Sequence, residues 1–450
     1  MRFKPKGATH DSKGSKDSKN SKDSKKKKQK MPMPTLPHTL ITHIGLLTGI
    51  HPHECLRVAG AAMKQLGTIE DAWLLTEGDR IASFGKMSDI DKLDTSPTTI
   101  IDAEGGTVLP CWCDPHTHLV YAGSRETEFV DKIRGLSYAE IARRGGGILN
   151  SADRLHAMSE EELTDAALQR LREMMARGTG CVEIKSGYGL NTDDELKMLR
   201  VVKRLKALTP MRIVSTFLGA HAVGRAYTGR QKEYVDLVVN EMIPAVAEEH
   251  LADYIDVFCD EGFFTPEETA RILEAGARHG MRPKIHACEL ASSGGVEVGV
   301  AYDALSIDHL ESASDYDLEL LARSAAMPTL LPGTSFFLNM PYARGRHIID
   351  QGLAIALATD CNPGSTPSSD MKFVVSLACI KMRLEPAEAI NAATLNAAYA
   401  MGLSHDYGSI AVGKKANLQL THPIPSVAYI PYAYTRDIVN KVMLEGIIEE

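Results

Sequence analysis

The segment that decides the fold lies at residues 107–118 and reads TVLPCWCDPHTH. Its first seven residues form a short, mostly apolar candidate strand, and Asp114-Pro115-His116-Thr117-His118 follows directly. Similar short strands recur as far as residue 357 and alternate with helical patterns. This alternation is typical of an α/β structure with a parallel sheet, in which polar side chains gather where the strands end.

Eight candidate strands occupy the middle of the chain. They cover residues 107–113, 180–184, 212–217, 254–258, 283–286, 304–307, 327–331 and 353–357. Helical runs such as 160–177, 194–208 and 266–279 separate many of them, with apolar residues at three- and four-residue spacing. Eight β-then-α units predict a (β/α)₈ TIM barrel. A doubly wound open sheet is the alternative, but the sequence lacks the Gly-rich phosphate turn expected after an early strand.

Both ends of the chain have the rhythm of short strands joined by turns. Residues 39–50 and 72–84 alternate apolar and polar positions, and residues 408–413, 416–420 and 439–448 resemble them. We therefore expect residues 36–107 and 405–450 to pair into a small β-sandwich domain, with the barrel domain at 108–404 inserted between them.

Residues 1–35 differ from the rest in composition. Residues 1–30 contain eleven lysines and one arginine against three aspartates, a net charge of +9, so the remaining chain carries −17 of the total of −8. This segment has too little apolar surface to fold and is predicted to be a disordered basic tail. A solvated tail, or sequence upstream of a start at Met31 or Met33, is favoured over a nucleic-acid or membrane contact.

The expected location of the protein follows from features that the sequence lacks. No stretch approaches about 20 consecutive apolar residues, so no membrane span is expected. Eight cysteines in 450 residues do not form a disulfide framework, and the basic tail has no apolar signal-peptide core. These features predict a cytoplasmic protein without a nucleic-acid partner.

Polar residues able to coordinate or hydrogen-bond follow nearly every candidate strand. In order they are His116 and His118, Lys185 to Tyr188, His221, Asp260 and Glu261, His286 with Glu289, Asp308 and His309, and Asp360. Because strand ends share one face of a barrel, these residues are expected to converge there.

A metal site is the simplest reading of the histidines. His116 and His118 are two residues apart on a strand, so both side chains point to the same side. A lone His-x-His pair is weak evidence, because ordinary surface and core histidines produce it. His286 and Asp360 at later strand ends strengthen it, since three imidazoles and one carboxylate suit Zn²⁺ and leave room for water.

Several motifs together resemble the amidohydrolase superfamily. They include Asp114 to His118, Gly123-Ser124-Arg125-Glu126, Lys185-Ser186-Gly187-Tyr188-Gly189-Leu190, Gly219-Ala220-His221 and Ala358-Thr359-Asp360. The His-x-His element is shared across the superfamily, whereas the Lys-Ser-Gly-Tyr-Gly and Gly-Ala-His blocks are narrower. They resemble the members that hydrolyse the ring C–N bond of 4-imidazolone-5-propanoate to N-formimidoyl-L-glutamate. The resemblance extends from about residue 40 to the C-terminus.

The resemblance implies one divalent ion per chain, zinc or iron, held by His116, His118, His286 and Asp360. It also implies catalytic roles for three residues. Asp360 would accept a proton from the attacking water, His309 would hydrogen-bond the attacking oxygen or the oxyanion, and Glu289 would exchange a proton with a ring nitrogen.

The substrate residues implied by the resemblance are Arg125, Tyr138, Tyr188, His221, Glu289, Asn362, Gly364 and Ser365. Arg125 would hold the propionate, because a guanidinium matches a carboxylate bidentately. The alternatives are a surface salt bridge for Arg125 with Glu126 or Glu128, and ordinary packing for the two tyrosines.

The same resemblance bears on metal count and on competing functions. Binuclear relatives use a lysine at the end of the fourth strand, but that strand ends here at Cys259-Asp260-Glu261, so one ion is expected. A small-molecule substrate and a homodimer are also implied. The alternatives are another mononuclear amidohydrolase, such as a cyclic amidine or nucleobase deaminase, and a non-catalytic barrel.

Overall fold

Two sheets organise the chain in the computed structural model, which describes residues 38–93, 96–136, 140, 144 and 146–449. The strands are β1 His38–Ile50, β2 Gly67–Glu77, β3 Arg80–Lys86, β4 Thr99–Asp102, β5 Thr107–Pro110, β6 Trp112–Asp114, β7 Thr179–Lys185, β8 Arg212–Ala220, β9 Tyr254–Cys259, β10 Arg282–Pro283, β11 Ile285–Ala287, β12 Ser306–His309, β13 Met327–Leu330, β14 Ala356–Leu357, β15 Leu418–Thr421, β16 Val439–Leu444 and β17 Ile447–Glu449.

The α-helices of the described residues lie mainly between the strands of the second sheet. They are α1 Glu126–Ile133, α2 Ile148–Ala157, α3 Glu160–Ala176, α4 Thr192–Leu208, α5 Gln231–Leu237, α6 Ile243–Glu248, α7 Pro266–Arg278, α8 Gly295–Ala301, α9 Asp315–Ala322, α10 Pro332–Leu338, α11 Gly345–Asp350, α12 Met371–Met382, α13 Pro386–Ala393, α14 Leu395–Ala400 and α15 Tyr429–Tyr432.

The second sheet is a nearly closed parallel barrel. Its order is β14-β13-β12-β11-β9-β8-β7-β6, with β10 also beside β9. Its two ends meet through the backbone, where the Asp360 N–H donates to His116 O at 3.0 Å and the His118 N–H donates to Cys361 O at 3.0 Å. The predicted (β/α)₈ architecture is therefore confirmed, and the open doubly wound sheet is excluded.

The Asp114 carboxylate strengthens this closure from the first barrel strand. It accepts hydrogen bonds from the Thr359 backbone N–H at 3.0 Å and from the Thr359 hydroxyl at 2.5 Å. Burial raises the pKa of Asp114 to about 7, although these hydrogen bonds act to lower it. The pairing fixes the last barrel strand against the first, directly beneath the predicted metal ligands.

Local signals in the sequence set the helices that pack around the barrel. Ser159 and Glu162 form a capping box at the start of α3, and Thr265 and Glu268 form another at the start of α7. The apolar stripe of α7 packs on β9, where Gly276 allows close approach because a Cβ there would lie 2.5 Å from Ile255 Cδ1. Capping and amphipathic pattern thus agree with the tertiary packing.

The first sheet joins strands from both chain ends, as predicted. Its order is β17-β16-β15-β5-β1-β2-β3, and β4 also pairs with β1. These strands form one continuous, hydrogen-bonded mixed sheet. The expectation of a single strand over residues 107–113 was wrong, since β5 pairs with β15 in this sheet while β6 pairs with β7 in the barrel. The chain crosses between the two sheets at Cys111.

The described residues between 38 and 449 lie in one compact unit that contains both sheets. The predicted disordered tail at residues 1–35 lies outside the described residues. No helix in the described part of the chain combines the length and apolar character needed to cross a membrane.

Candidate active site

Three buried histidines converge at the carboxyl ends of the barrel strands. His116 and His118 follow β6, and His286 lies in β11. A potential ligand atom from each lies within 4.8 Å of the others, and the residues are at most 2% exposed. The predicted metal-binding histidines are thus brought together from two distant parts of the sequence.

Asp360 lies beside these histidines, after β14. Its Oδ1 is 3.6 Å from Nε2 of His116 and 3.6 Å from Nε2 of His118. Its Oδ2 accepts hydrogen bonds from Thr334 Oγ1 at 2.6 Å and Ser365 Oγ at 3.0 Å. The two hydroxyls therefore hold Oδ2 and leave Oδ1 directed at the histidines.

Carboxylates on the barrel interior orient two of the rings. His116 Nδ1 donates to Asp308 Oδ2 at 2.6 Å, and His286 Nδ1 lies 3.0 Å from Asp256 Oδ2. Because a carboxylate only accepts, Nδ1 of His116 carries the proton and its Nε2 keeps its lone pair, whereas Nδ1 of His286 faces Asp256 without a hydrogen bond. At zinc sites, a carboxylate commonly lies beside the ring nitrogen that does not bind the metal.

The electrostatics and unmet hydrogen bonds of the cluster fit a cation. Burial lowers the pKa of His116 and His118 well below the ordinary value, so both rings are neutral and able to ligate. Buried ring nitrogens without a hydrogen-bond partner occur on all three histidines within the described structure, including Nε2 of His116 and of His286. Three neutral imidazoles and one carboxylate are a donor set suited to zinc or iron.

His309 lies next to this cluster with two carboxylates. Its Nδ1 is 3.6 Å from Glu289 Oε2 and 3.5 Å from Glu311 Oε2. Burial alone would lower the pKa of His309, but the two carboxylates outweigh it and raise the pKa to about 10. Burial raises the pKa of Glu289 to about 7. The group therefore places a cationic imidazole beside a carboxyl that titrates near neutrality.

Arg125 is fixed by a nearby acid. Its Nε and Nη2 donate to Glu128 Oε2 at 2.9 and 2.5 Å, and the other Glu128 oxygen accepts from the Gly147 N–H at 3.0 Å. This is the salt bridge considered as an alternative, but it is largely buried, with the two side chains 10% and 8% exposed. Nη1 lies against Gly364, where a Cβ would meet it at 2.4 Å.

The loop that carries Tyr188 is organised by Glu195 of α4. The Glu195 carboxylate accepts from the backbone N–H groups of Gly187, Gly189 and Leu190 at 3.1, 2.7 and 3.0 Å. Burial raises the pKa of Glu195 to about 7. Tyr188 is 3% exposed, and its ring centroid lies 5.9 Å from that of His118. Glu195 thereby holds Tyr188 at the edge of the histidine cluster.

His221 stacks on His118 with ring centroids 5.1 Å apart and planes inclined by 14°. Its Nδ1 lies 3.1 Å from the Gly187 carbonyl oxygen, which can only accept, so Nδ1 carries the proton. Burial and the neighbouring His286 lower the pKa of His221 to about 3. His221 therefore presents a neutral ring with an acceptor at Nε2.

The loop after β14 uses its predicted substrate residues partly on itself. The Asn362 amide donates to the Asp360 carbonyl at 2.8 Å and to Ser365 Oγ at 2.6 Å, while its oxygen accepts from the N–H groups of Gly364 and Ser365. Ser365 in turn donates to Asp360. This loop holds Asp360 in place and brings Gly364 against Arg125.

Four residues at these strand ends have left-handed backbone conformations. Cys288, His309, Leu310 and Asp360 have φ of 59°, 83°, 70° and 55° although none is a glycine. Such conformations are uncommon for these residue types and persist where the surrounding packing enforces them.

One predicted residue, Tyr138, lies outside the described residues. The sequence assigned no role to Asp256, Glu195 or Glu311, and it indicated Asp308 only as one of the polar residues at the strand ends. Asp308 precedes the predicted His309, and Asp256 alternates with apolar residues inside β9. A charged residue within an otherwise apolar strand was the available signal for the latter.

The barrel and its buried cluster of histidines at the strand ends define a metal-dependent hydrolase. The family model described as "Amidohydrolase family" matches residues 107–448. The chain belongs to this family and, within it, to the imidazolonepropionases, as its relatives show.

Two imidazolonepropionases illustrate the similarity. The chain is 53% identical over 407 residues to that of Christiangramia forsetii, covering 90% of this chain and 98% of the relative. It is 44% identical over 411 residues to that of Brevibacillus brevis, covering 91% and 97%.

Among solved structures, a zinc-containing adenosine deaminase from Xanthomonas campestris has a similar fold. The TM-score is 0.67 at 17% identity, covering 92% of this chain and 93% of that one. At this identity the likeness concerns the fold alone.

Proposed function

We propose that this chain hydrolyses the ring C–N bond of 4-imidazolone-5-propanoate to N-formimidoyl-L-glutamate, with one zinc or iron ion per chain. The observation that carries the proposal is that a candidate binding group for the substrate carboxylate lies close to the candidate metal ligands. The loop of residues 362–365 touches Arg125 through Gly364 and Asp360 through Ser365. A carboxylate anchor and a candidate metal centre therefore share one loop.

The ion would be held by His116, His118, His286 and Asp360. When bound, it supplies Lewis acidity and makes water a nucleophile near neutral pH. Oδ1 of Asp360 faces the same histidines, and Asp360 is the base that accepts the proton of the attacking water. Thr334 and Ser365 fix its other oxygen, so the acceptor is held in place before the reaction starts.

His309 and Glu289 divide the remaining proton and charge chemistry. The cationic His309 imidazole donates a hydrogen bond to the oxygen on which negative charge develops. Glu289, whose pKa burial raises to about 7, gives a proton to the ring nitrogen as the C–N bond breaks. Protonation makes that nitrogen a better leaving group.

The propionate would bind Arg125. Glu128 occupies Nε and Nη2, so Nη1 beside Gly364 is the donor available to the substrate. Arg125 also lines a cavity of about 240 Å³ together with Lys132 and the apolar residues Phe129 and Phe337. Glu126 and Glu128 also line this cavity, and none of the four candidate metal ligands does. Tyr188 and His221 would flank the ring.

Deamination of a cyclic amidine or nucleobase is the competing activity. Ring opening of the imidazolone releases no ammonia, whereas a deaminase releases one equivalent. The test is to incubate purified protein with imidazolonepropionate, follow loss of its ultraviolet absorbance, and assay ammonia in the same sample. Absorbance loss without ammonia supports the proposal. Ammonia release, or turnover only of amidine substrates, would contradict it.

The proposal also covers the location of the protein, its oligomeric state and its domain boundaries. All eight cysteines are unpaired in the structure, which agrees with a reducing, cytoplasmic location. We also propose a homodimer, to be measured by light scattering, and domain boundaries at residues 36–107 with 405–450 and at 108–404. The change of sheet at Cys111 supports a domain boundary near residues 107 and 108.

A further inference from the structure

A layer of charged side chains fills the barrel beneath the histidines. Glu183 and Lys185 of β7 alternate with Val182 and Ile184, which pack in an apolar cluster outside the barrel. Glu183 and Lys185 are 0% exposed. TIM-barrel interiors are usually filled by branched apolar side chains, so a buried charged layer calls for a specific explanation.

Lys185 lies at the centre of this layer. Its Nζ is 2.8 Å from Glu183 Oε1, 2.7 Å from Asp256 Oδ2 and 3.5 Å from Asp308 Oδ2. Burial alone would lower the pKa of Lys185, but these three carboxylates outweigh it and raise the pKa above its ordinary value. Lys185 is therefore a buried cation shared among three acids from β7, β9 and β12.

Two of these acids are the ones that orient metal-binding histidines. The same Asp308 oxygen that faces Lys185 accepts from His116 Nδ1, and the same Asp256 oxygen faces His286 Nδ1. Asp256 also accepts from the backbone N–H of His286 at 3.2 Å. The Lys185 ammonium group thus contacts both carboxylates and, through them, influences the orientation of the His116 and His286 rings.

Lys284 provides an internal comparison. It is also 0% exposed, but it donates to Glu183 and, at 3.1 Å, to the carbonyl oxygen of Pro115. Both lysines therefore balance buried charge. Lys185 contacts Asp256 and Asp308, whereas Lys284 contacts neither of them and donates to the backbone of Pro115, the residue before His116.

We propose that Lys185 is a positioning residue of the metal centre, holding Asp256 and Asp308 so that His286 and His116 present Nε2 to the ion. The proposal rests on the metal-dependent function above and adds that metal affinity depends on a lysine that is not itself a ligand. Outer partners of this kind typically contribute 10–100-fold to metal affinity or activity.

The test measures Zn²⁺ affinity, not turnover, by competition with a chromogenic chelator. The variants are Lys185→Met, the double variant Glu183→Gln/Lys185→Met, which removes one charge of each sign, and the matched control Lys284→Met. Thermal unfolding of each metal-free variant shows whether it folds. Turnover of the unaltered protein is measured separately, so failure of the proposed reaction is distinguishable from failure of the Lys185 proposal.

We expect both Lys185 variants to bind Zn²⁺ about 10–100-fold more weakly, while Lys284→Met keeps nearly native affinity at a comparable loss of thermal stability. The visible spectrum of the Co²⁺-loaded protein should change in the Lys185 variants and not in the control. Native affinity in either folded Lys185 variant, or an equal loss in Lys284→Met, would overturn the proposal. So would failure of both Lys185 variants to fold while Lys284→Met folds, since Lys185 would then hold the barrel together and not the histidines.

Discussion

Gly364→Ala should weaken substrate binding more than it weakens the fold. Gly364 lacks the positive φ that favours glycine, so its backbone accepts an alanine. The added Cβ, however, would lie 2.4 Å from Arg125 Nη1 and 3.2 Å from Cζ, where ordinary contacts are 3.4–4 Å. The guanidinium must therefore move by about 1 Å, a displacement large enough to matter in a binding site.

The magnitude follows from the bonds around Arg125. Glu128 already holds Nε and Nη2, so a shift of the guanidinium misaligns Nη1, the donor left for the propionate. A hydrogen bond to a charged group contributes about 1.5–3 kcal/mol. Since about 1.4 kcal/mol is a factor of ten, kcat/KM should fall about 10- to 150-fold.

The assay compares imidazolonepropionate with its propionamide analogue, which lacks the charge. We expect a large loss of kcat/KM for the acid, a small one for the amide, and a small fall in the melting temperature as the Arg125–Glu128 ion pair adjusts. In an Arg125→Met background, Gly364→Ala should have little further effect, since the two changes act through the same contact. Equal losses for acid and amide, or no loss for the acid, would refute the role given to Arg125.

Three further outcomes are expected from the same geometry. Asp360→Asn should lower kcat by about 10²–10⁴-fold and weaken zinc binding, because it removes both a base and a ligand. The readouts are kcat and bound metal, and the circular dichroism spectrum should stay native. Glu289→Gln should remove a fall in kcat/KM as pH rises through about 7, since Glu289 holds its proton until that pH, and an unchanged profile would exclude it as the acid. Glu195 has a folded pKa raised to about 7 from 4.5, so its contribution to stability is full below 4.5 and is lost as pH rises toward 7. Denaturant midpoints of Glu195→Gln should lack that dependence, and kcat/KM should fall as Tyr188 loses its support.

Features that depend on local pattern could be predicted from the sequence. The barrel followed from strand and helix periodicity, and His116, His118, His286 and Asp360 were predicted as metal ligands because each stands where a strand ends. The structure brings these four side chains together. The strand predicted over residues 107–113 failed at one point, since apolar pattern does not show that the chain changes sheets at Cys111.

Contacts between distant strands could not be predicted in the same way. Lys185 was recognised as a residue of the second barrel strand, but its pairing with Asp256 and Asp308 depends on barrel register. Asn362 was predicted to bind the substrate, and the structure adds that its amide organises its own loop. Short polar side chains in loops have several partners within reach, and the choice among them is made by the folded backbone.

The most direct test of the central claim is a titration of metal-free protein with Zn²⁺ while imidazolonepropionate turnover is followed. The account predicts no turnover without metal, a linear rise with added zinc, and saturation at one ion per chain. The Asp360→Asn variant should show no comparable rise. Saturation at two ions per chain, or full turnover in metal-free protein, would contradict the account.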